Sequence, residues 1–188
     1  MKLVLGVTDT DDDTYLDICV GAASRDIEAM VGYKFWVDSA VVTREFYADD
    51  PRCLYIDDGI STTAALVVAI DEDDDGTYET TLTLATDFIL KPTNAADMVP
   101  VQPYTELVAV DNYLWPTRST RPGVQITAKF GWPAIPPNVK LACMLHAKDL
   151  YKAKDSPGGS PEFAPLPGAG VSAMVRNLLK PYTKVSVG

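Results

Sequence analysis

The amino-acid sequence predicts an α+β fold, in which amphipathic helices form a helical body and a mainly antiparallel β region is inserted between them. Apolar residues recur at helical spacing near both ends of the chain. Between them lie short segments rich in Val, Ile, Thr and Tyr, with no helical pattern separating one from the next. Consecutive strands without intervening helices favour antiparallel pairing, as in a single sheet or a small sandwich.

The 188 residues suit one folded domain, which we expect to cover residues 1–155, with the β region at about residues 40–131. The formal net charge is −10. Binding to the phosphate backbone depends on Lys and Arg displacing counterions, so this charge argues against tight DNA binding. No apolar segment has the length of a membrane span, and the N-terminal segment turns acidic too early for a signal peptide. We therefore expect a protein made in the cytosol, without a membrane partner.

The first helix is predicted at about residues 12–33. Asp residues crowd its start, where free N–H groups and the positive end of the helix dipole favour carboxylates. Gly32 is a plausible stop signal at its end. Apolar residues at three- and four-residue steps predict one buried stripe. The members of this stripe are Leu16, Val20, Ala23, Ile27, Met30 and Val31.

Five segments of the middle region predict β-strands, and the acidic sequence DEDDDG between the third and fourth predicts a hairpin loop. The five segments are residues 41–48, 52–57, 63–71, 78–85 and 124–131.

The C-terminal part begins with a second long helix, predicted at about residues 137–154, with Pro137 in its first turn. Residues 156–170 are rich in Pro and Gly and predict a linker, because Pro removes backbone donors and Gly adds chain entropy. A short helix over about residues 171–179 follows, and Pro181 stops it.

The sequence predicts no catalytic residue, no cofactor and no metal site. His146 is the only histidine and falls beside an apolar stripe, which favours a structural or exposed ring over a general base. Nucleophile, nucleotide-binding and metalloprotease motifs are lacking. The three cysteines are dispersed without a CxxC pair, which indicates buried thiols. They are Cys19, Cys53 and Cys143.

The acidic loop at residues 71–77 matches the first half of a calcium-binding loop through Asp71, Asp73, Asp75 and Gly76. Its twelfth position is Leu82, where such a loop has a bidentate Glu, and no helices are predicted on either side. We expect a solvated hairpin tip without a metal. A weakly bound cation, drawn by the clustered carboxylates, is the alternative that this pattern leaves open.

Two segments contain candidate partner contacts. Trp115, Arg118 and Arg121 belong to an aromatic-rich stretch, and Trp and Arg are the residue types that dominate interface hot spots. The alternative for these aromatics is a place in the core, which we favour for Trp132.

The segment 171–188 is predicted to be a docking arm, since an isolated helix of this length is marginal in water. The alternative is that the helix packs on its own domain. The arm's candidate contacts are Met174, Val175, Arg176, Leu178, Leu179, Lys180 and Tyr182.

Several short motifs occur in order along most of the chain. They are Ala29-Met30-Val31-Gly32-Tyr33, Thr43-Arg44-Glu45-Phe46-Tyr47, the acidic hairpin DEDDDGTYE, Asp87-Phe88-Ile89-Leu90-Lys91-Pro92, Phe130-Gly131-Trp132-Pro133 and Leu178-Leu179-Lys180-Pro181-Tyr182. In the order and spacing of these motifs, the chain resembles the head-to-tail connector (adaptor) family of long-tailed phages, the group similar to the gp6 connector of phage HK97.

The resemblance implies a structural virion protein without catalytic residues. Such a protein forms a ring, usually of twelve subunits, at the head-tail junction, and it is assembled in the host cytoplasm. Its partners are copies of itself, the portal protein and a stopper or tail-completion protein, while DNA passes through as a non-specific duplex. The long β region and the Pro/Gly linker depart from shorter members of the family. The alternative function is a β-rich virion module that binds a receptor or a carbohydrate.

Overall fold

The structure is a computed structural model, and it describes residues 10–117, 120–153 and 171–183. The chain divides into two compact units, one formed by Met1–Tyr33 with Pro136–Gly188 and the other by Lys34–Ile135. Among the described residues, the first unit is helical and the second contains the strands. The predicted α+β class is confirmed.

The helical unit contains α1 (Asp13–Val31), α2 (Pro137–Ala153) and α3 (Ala173–Leu179), and a 3-10 turn at Lys180–Tyr182 follows α3. Each helix begins and ends within two residues of its predicted position. Gly32 ends α1 as predicted: its φ is 78°, and its N–H donates to the carbonyl of Glu28 at 2.8 Å. None of the helices among the described residues is long and apolar enough to cross a membrane.

Two details of α1 differ from the prediction. Cys19 takes its place in the buried stripe, whereas Met30, in the last turn of the helix, is 36% exposed. At the start of the helix, the Asp12 carboxylate does not cap the helix and instead accepts a hydrogen bond from the Tyr151 hydroxyl at 2.6 Å. The acidic residue therefore joins α1 to α2.

The β unit consists of two antiparallel sheets. The first has the order β1 (Val42–Phe46), β7 (Val124–Ala128), β3 (Val67–Ile70) and β4 (Thr80–Leu82). The second has the order β2 (Cys53–Ile60), β6 (Tyr104–Ala109) and β5 (Phe88–Lys91).

Both sheets supply side chains to one hydrophobic core, so the unit is a small sandwich. Leu54 and Leu107 come from the second sheet, and Val68 and Ile126 come from the first. All four are at most 1% exposed. The five predicted strands correspond to β1, β2, β3, β4 and β7, and the sequence prediction missed β5 and β6.

Candidate functional site

The acidic loop between β3 and β4 begins at Asp71, which is 2% exposed. Its two carboxylate oxygens accept hydrogen bonds from the backbone N–H groups of Asp75 at 3.3 Å and Gly76 at 2.8 Å. Gly76 has a φ of 95°, in the left-handed region that glycine enters without steric cost. The predicted hairpin loop is confirmed, and the buried Asp71 carboxylate holds the loop backbone through these two hydrogen bonds.

The tip of this loop is bonded to the segment that precedes β7. The Asp74 carboxylate accepts hydrogen bonds from the Thr120 hydroxyl at 2.6 Å, the Thr120 N–H at 3.0 Å and the Arg121 N–H at 3.1 Å. The Thr120 hydroxyl is the largest of the causes that lower the pKa of Asp74. The Arg121 guanidinium donates to the Asp75 carbonyl. Arg121, a predicted partner contact, is therefore engaged within its own chain.

Four carboxylates of this loop could hold a cation. Asp71, Asp73, Asp75 and Glu79 each place one oxygen within 4.8 Å of the others. Glu79 was missed in the sequence, although it stands at the ninth position of the calcium-loop pattern, which in such loops often binds through water. The twelfth position is Leu82, which is 8% exposed and packs in the core. That this loop binds no metal stays a prediction.

His146 lies in the interior of the helical unit and is 2% exposed. Its Nε2 is 2.8 Å from a carboxylate oxygen of Asp26, which joins α2 to α1. The ring has no access to solvent through which a substrate could reach it. This position agrees with the structural role predicted for it.

The tryptophans near β7 are buried, and Trp115 belongs to the core of the β unit. Trp115 is 2% exposed and its ring centroid lies 5.5 Å from that of Tyr113 and 6.2 Å from that of Phe88. Trp132 is 6% exposed and packs 5.3 Å from Phe35. Burial raises the pKa of Tyr113 to about 12. The core position that we favoured for Trp132 is found.

The same burial corrects the place of Trp115 among the predicted partner contacts, because its side chain offers no surface to another protein. Of the two arginines predicted beside it, Arg118 lies outside the described residues.

The predicted docking residues of α3 differ in burial: some pack inside the helical unit and others are exposed to solvent. Val175 and Leu179 are buried at 0% and 1% exposure, and α3 packs on α2. The Ser172 hydroxyl caps the helix by accepting the N–H of Val175 at 3.3 Å. The described part of the arm thus packs on its own helical unit, which corrects the separate arm that was predicted. The apolar side chains find a partner surface within the chain.

The remaining arm candidates differ in exposure. Met174 is 58% exposed, and Arg176 and Lys180 are exposed as well. Leu178 is partly buried, and Tyr182 is 9% exposed. Residues 154–170, which include the predicted linker, lie outside the described residues, as do residues 184–188.

The three cysteines are free thiols, and only Cys19 is fully buried. Burial raises the pKa of Cys143, whose Sγ lies 4.0 Å from the carbonyl oxygen of Val20. Burial and, to a lesser degree, Glu106 raise the pKa of Cys53. Raised pKa values keep these two thiols protonated at neutral pH, which lowers their reactivity.

A cluster of charged residues that the sequence did not indicate holds β1 to the rest of the β unit. The Arg44 guanidinium donates to Asp38 at 2.8 Å and to Asp58 at 2.9 Å, and it lies 4.2 Å from the centre of the Phe130 ring. Lys34 approaches Asp58 at 3.5 Å. The two positive charges are balanced by two carboxylates, so the cluster stabilises the fold and presents no reactive group.

The negative charge of the protein is concentrated in the β unit. Residues 34–135 contain 16 Asp and Glu against 7 Lys and Arg, and so carry −9 of the net −10. The helical unit is close to neutral. An acidic β unit repels the phosphates of a nearby duplex, over about one Debye length of roughly 10 Å at ordinary salt.

Comparison with known families gives a match over the N-terminal part of the chain. Residues 1–79 match the family model described as "Phage gp6-like head-tail connector protein". This match covers α1 and the strands as far as the acidic loop. It confirms the resemblance to head-to-tail connectors found in the sequence. No curated protein matches the chain.

Solved structures with a similar fold come from gene transfer agent (GTA) particles. A chain in "Neck of empty GTA particle computed with C6 symmetry" has a TM-score of 0.58 and 16% identity, over 100% of this protein and 88% of that chain. A chain in "Neck of native GTA particle computed with C12 symmetry" has a TM-score of 0.56 and 19% identity, over 93% of this protein and 84% of that chain.

A third chain, in "Virion of native gene transfer agent (GTA) particle", has a TM-score of 0.51 and 20% identity, over 97% of this protein and 85% of that chain. At such identities the likeness establishes the fold. In each case it covers at least 93% of this protein and at least 84% of the matched chain.

Proposed function

We propose that this protein is a non-enzymatic structural subunit of a virion neck, a head-to-tail connector located at the junction of head and tail. The observation that carries the proposal is the combination of the connector-family match over residues 1–79 with a fold shared along the chain with GTA neck chains. The only histidine is buried against Asp26, which accords with a role without catalysis.

The connector works as a ring of identical subunits. The C12 and C6 symmetries of the similar neck structures support a ring, and twelve subunits is the number we propose. The portal protein lies on one side of this ring and a stopper or tail-completion protein on the other. DNA passes through the centre during packaging and ejection. The acidic β unit supports this passage, because like charges prevent the duplex from adhering.

The alternative function, a virion module that binds a receptor or a carbohydrate, depended on the long strand region and on exposed aromatic side chains. Trp115 and Trp132 of the aromatic-rich stretch are buried, whereas Trp36, Tyr47 and Tyr55 of the β unit are 42%, 58% and 67% exposed. The connector is the better proposal because the family match and the neck-like fold support it.

Negative-stain electron microscopy of the purified full chain, alone and mixed with the portal protein of the same particle, tests the proposal. We expect rings with a central channel, either free in solution or seated on the portal. A protein that remains monomeric or trimeric in both samples, and that binds a glycan or a receptor instead, would overturn the connector function.

A further inference from the structure

Helix α1 presents an apolar side chain to solvent near its middle. Ile18 is 62% exposed and lies on the face opposite the buried stripe of the helix. Gly21, one turn further on, is also exposed, and a Cβ atom built on it would meet nothing within 4 Å. Asp17 lies beside Ile18 and is exposed without an ion pair in the part of the chain that the structure describes. This outer face of α1 is apolar at its centre and open to close approach.

Helix α2 presents a second such face with the opposite charge. Leu141 is 39% exposed, and Lys148 and Lys152 follow it at steps of seven and eleven residues, which place all three on one side of the helix. Neither lysine forms an ion pair among the described residues. The outer face of α2 therefore has an apolar centre beside two positive charges.

The charge balance of the two helices is complementary. Over its length α1 carries four acidic residues against one basic residue, Arg25, which is already bonded to Glu28 at 2.7 Å. Over its length α2 carries three lysines against one acidic residue, Asp149. Complementary charge around an apolar centre is the arrangement found in specific protein interfaces, where it sets the register and excludes wrong partners.

We infer that the outer face of α1 in one subunit packs on the outer face of α2 in a second copy of this chain, with Ile18 against Leu141 and Asp17 paired with Lys148. The inference rests on the proposed function, because a closed ring needs two different surfaces on each subunit that fit one another. A single chain offers both surfaces here, which favours a second copy over an unrelated partner. Repetition of this one contact around the ring gives every subunit the same two neighbours.

Charge-reversal variants of the full-length chain test the contact in solution. Asp17→Lys and Lys148→Glu each place like charges at every subunit contact, and we expect each to raise the concentration needed for half-maximal assembly by about tenfold or more. Ile18→Ser removes the apolar side chain at the centre of the contact, and we expect it to raise the concentration needed for half-maximal assembly as well. Assembly is followed by sedimentation velocity and negative-stain imaging, and folding by circular dichroism. Asp49→Lys, a charge reversal at an exposed position in the loop after β1, is the matched control and leaves assembly unchanged.

The decisive sample is an equimolar mixture of the Asp17→Lys and Lys148→Glu proteins. The first variant carries a basic side chain at both positions of the pair and the second an acidic side chain at both. In a ring where the two variants alternate, every contact therefore joins a basic to an acidic side chain, and assembly returns.

Two outcomes separate this contact from the function on which it rests. Wild-type rings that are unaffected by the reversals, or reversals that the mixture does not rescue, overturn the contact and leave the connector function in place. A wild-type protein that forms no ring, alone or on the portal, overturns the connector function together with the contact.

Discussion

The Nε2 atom of His146 lies 2.8 Å from a carboxylate oxygen of Asp26, although the two side chains differ sharply in exposure, at 2% for the histidine and 54% for the aspartate. We expect His146→Ala to lower the free energy of unfolding by about 2–4 kcal/mol, since it leaves a cavity in the interior. Asp26→Asn should lower the free energy of unfolding by only about 1 kcal/mol or less, because solvent screens the exposed carboxylate. Urea unfolding measures both. Asp149→Asn, an exposed change on α2, is the control, and equal losses for the two variants would contradict this account.

The hydrogen bonds that Asp74 accepts from Thr120 and Arg121 lower the pKa of its carboxyl group in the folded state. A lowered pKa contributes stability above the unfolded pKa of about 3.9, and this contribution is lost as the pH falls through the folded pKa. We therefore expect Asp74→Asn to melt below the wild type at about pH 6, with the difference narrowing toward about pH 2. Thermal melts across this range measure it. Glu72→Gln at the same tip is the control, and a difference independent of pH would refute the explanation.

Two glycines predict opposite effects of the same substitution. Gly131 has a φ of 107°, and an added Cβ would overlap the carbonyl of Trp36, so Gly131→Ala should lower stability by about 2 kcal/mol or more. Gly21 lies within α1 with open space around it, so Gly21→Ala should raise the stability of the monomer by about 0.5–1 kcal/mol. Chemical denaturation compares the two variants with the wild type. Similar shifts in both would show that the backbone at Gly131 relaxes freely.

The acidic loop predicts a small response to calcium. Asp71, Asp73, Asp75 and Glu79 converge, but the buried Leu82 occupies the position of the bidentate Glu that a calcium loop needs. We expect a chelator, or calcium at about millimolar concentration, to leave the melting temperature within about 2 °C of the untreated protein. A rise of several degrees with calcium, absent from an Asp73→Asn variant, would show that Glu79 completes a site after all.

The helices could be predicted from the sequence to within two residues, because their apolar spacing and the stop at Gly32 are local signals. The strands β5 and β6 could not. In β5 only four residues are paired, and Lys91 with the following Pro92 interrupts the apolar pattern. The cluster of Arg44 with Asp38 and Asp58 and the bond between Asp74 and Thr120 join residues distant in sequence. Such contacts form only when the sheets come together, and composition does not indicate them.

The packing of α3 on α2 leads to the last prediction, on the segment after Gly170. A free docking arm could be removed without loss of stability. In the structure, however, Val175 and Leu179 are completely buried, and the burial of each side chain stabilises the fold by about 1.5–3 kcal/mol. We therefore expect truncation after Gly170 to lower the melting temperature substantially. Val175→Asp should do the same, because it places an unpaired charge in the interior. Met174→Asp, one residue away and 58% exposed, is the matched control and should leave stability nearly unchanged. If the truncated protein keeps its melting temperature within a few degrees and loses only its binding to portal or neighbouring subunits, the segment is a docking arm and its packing on α2 contributes little.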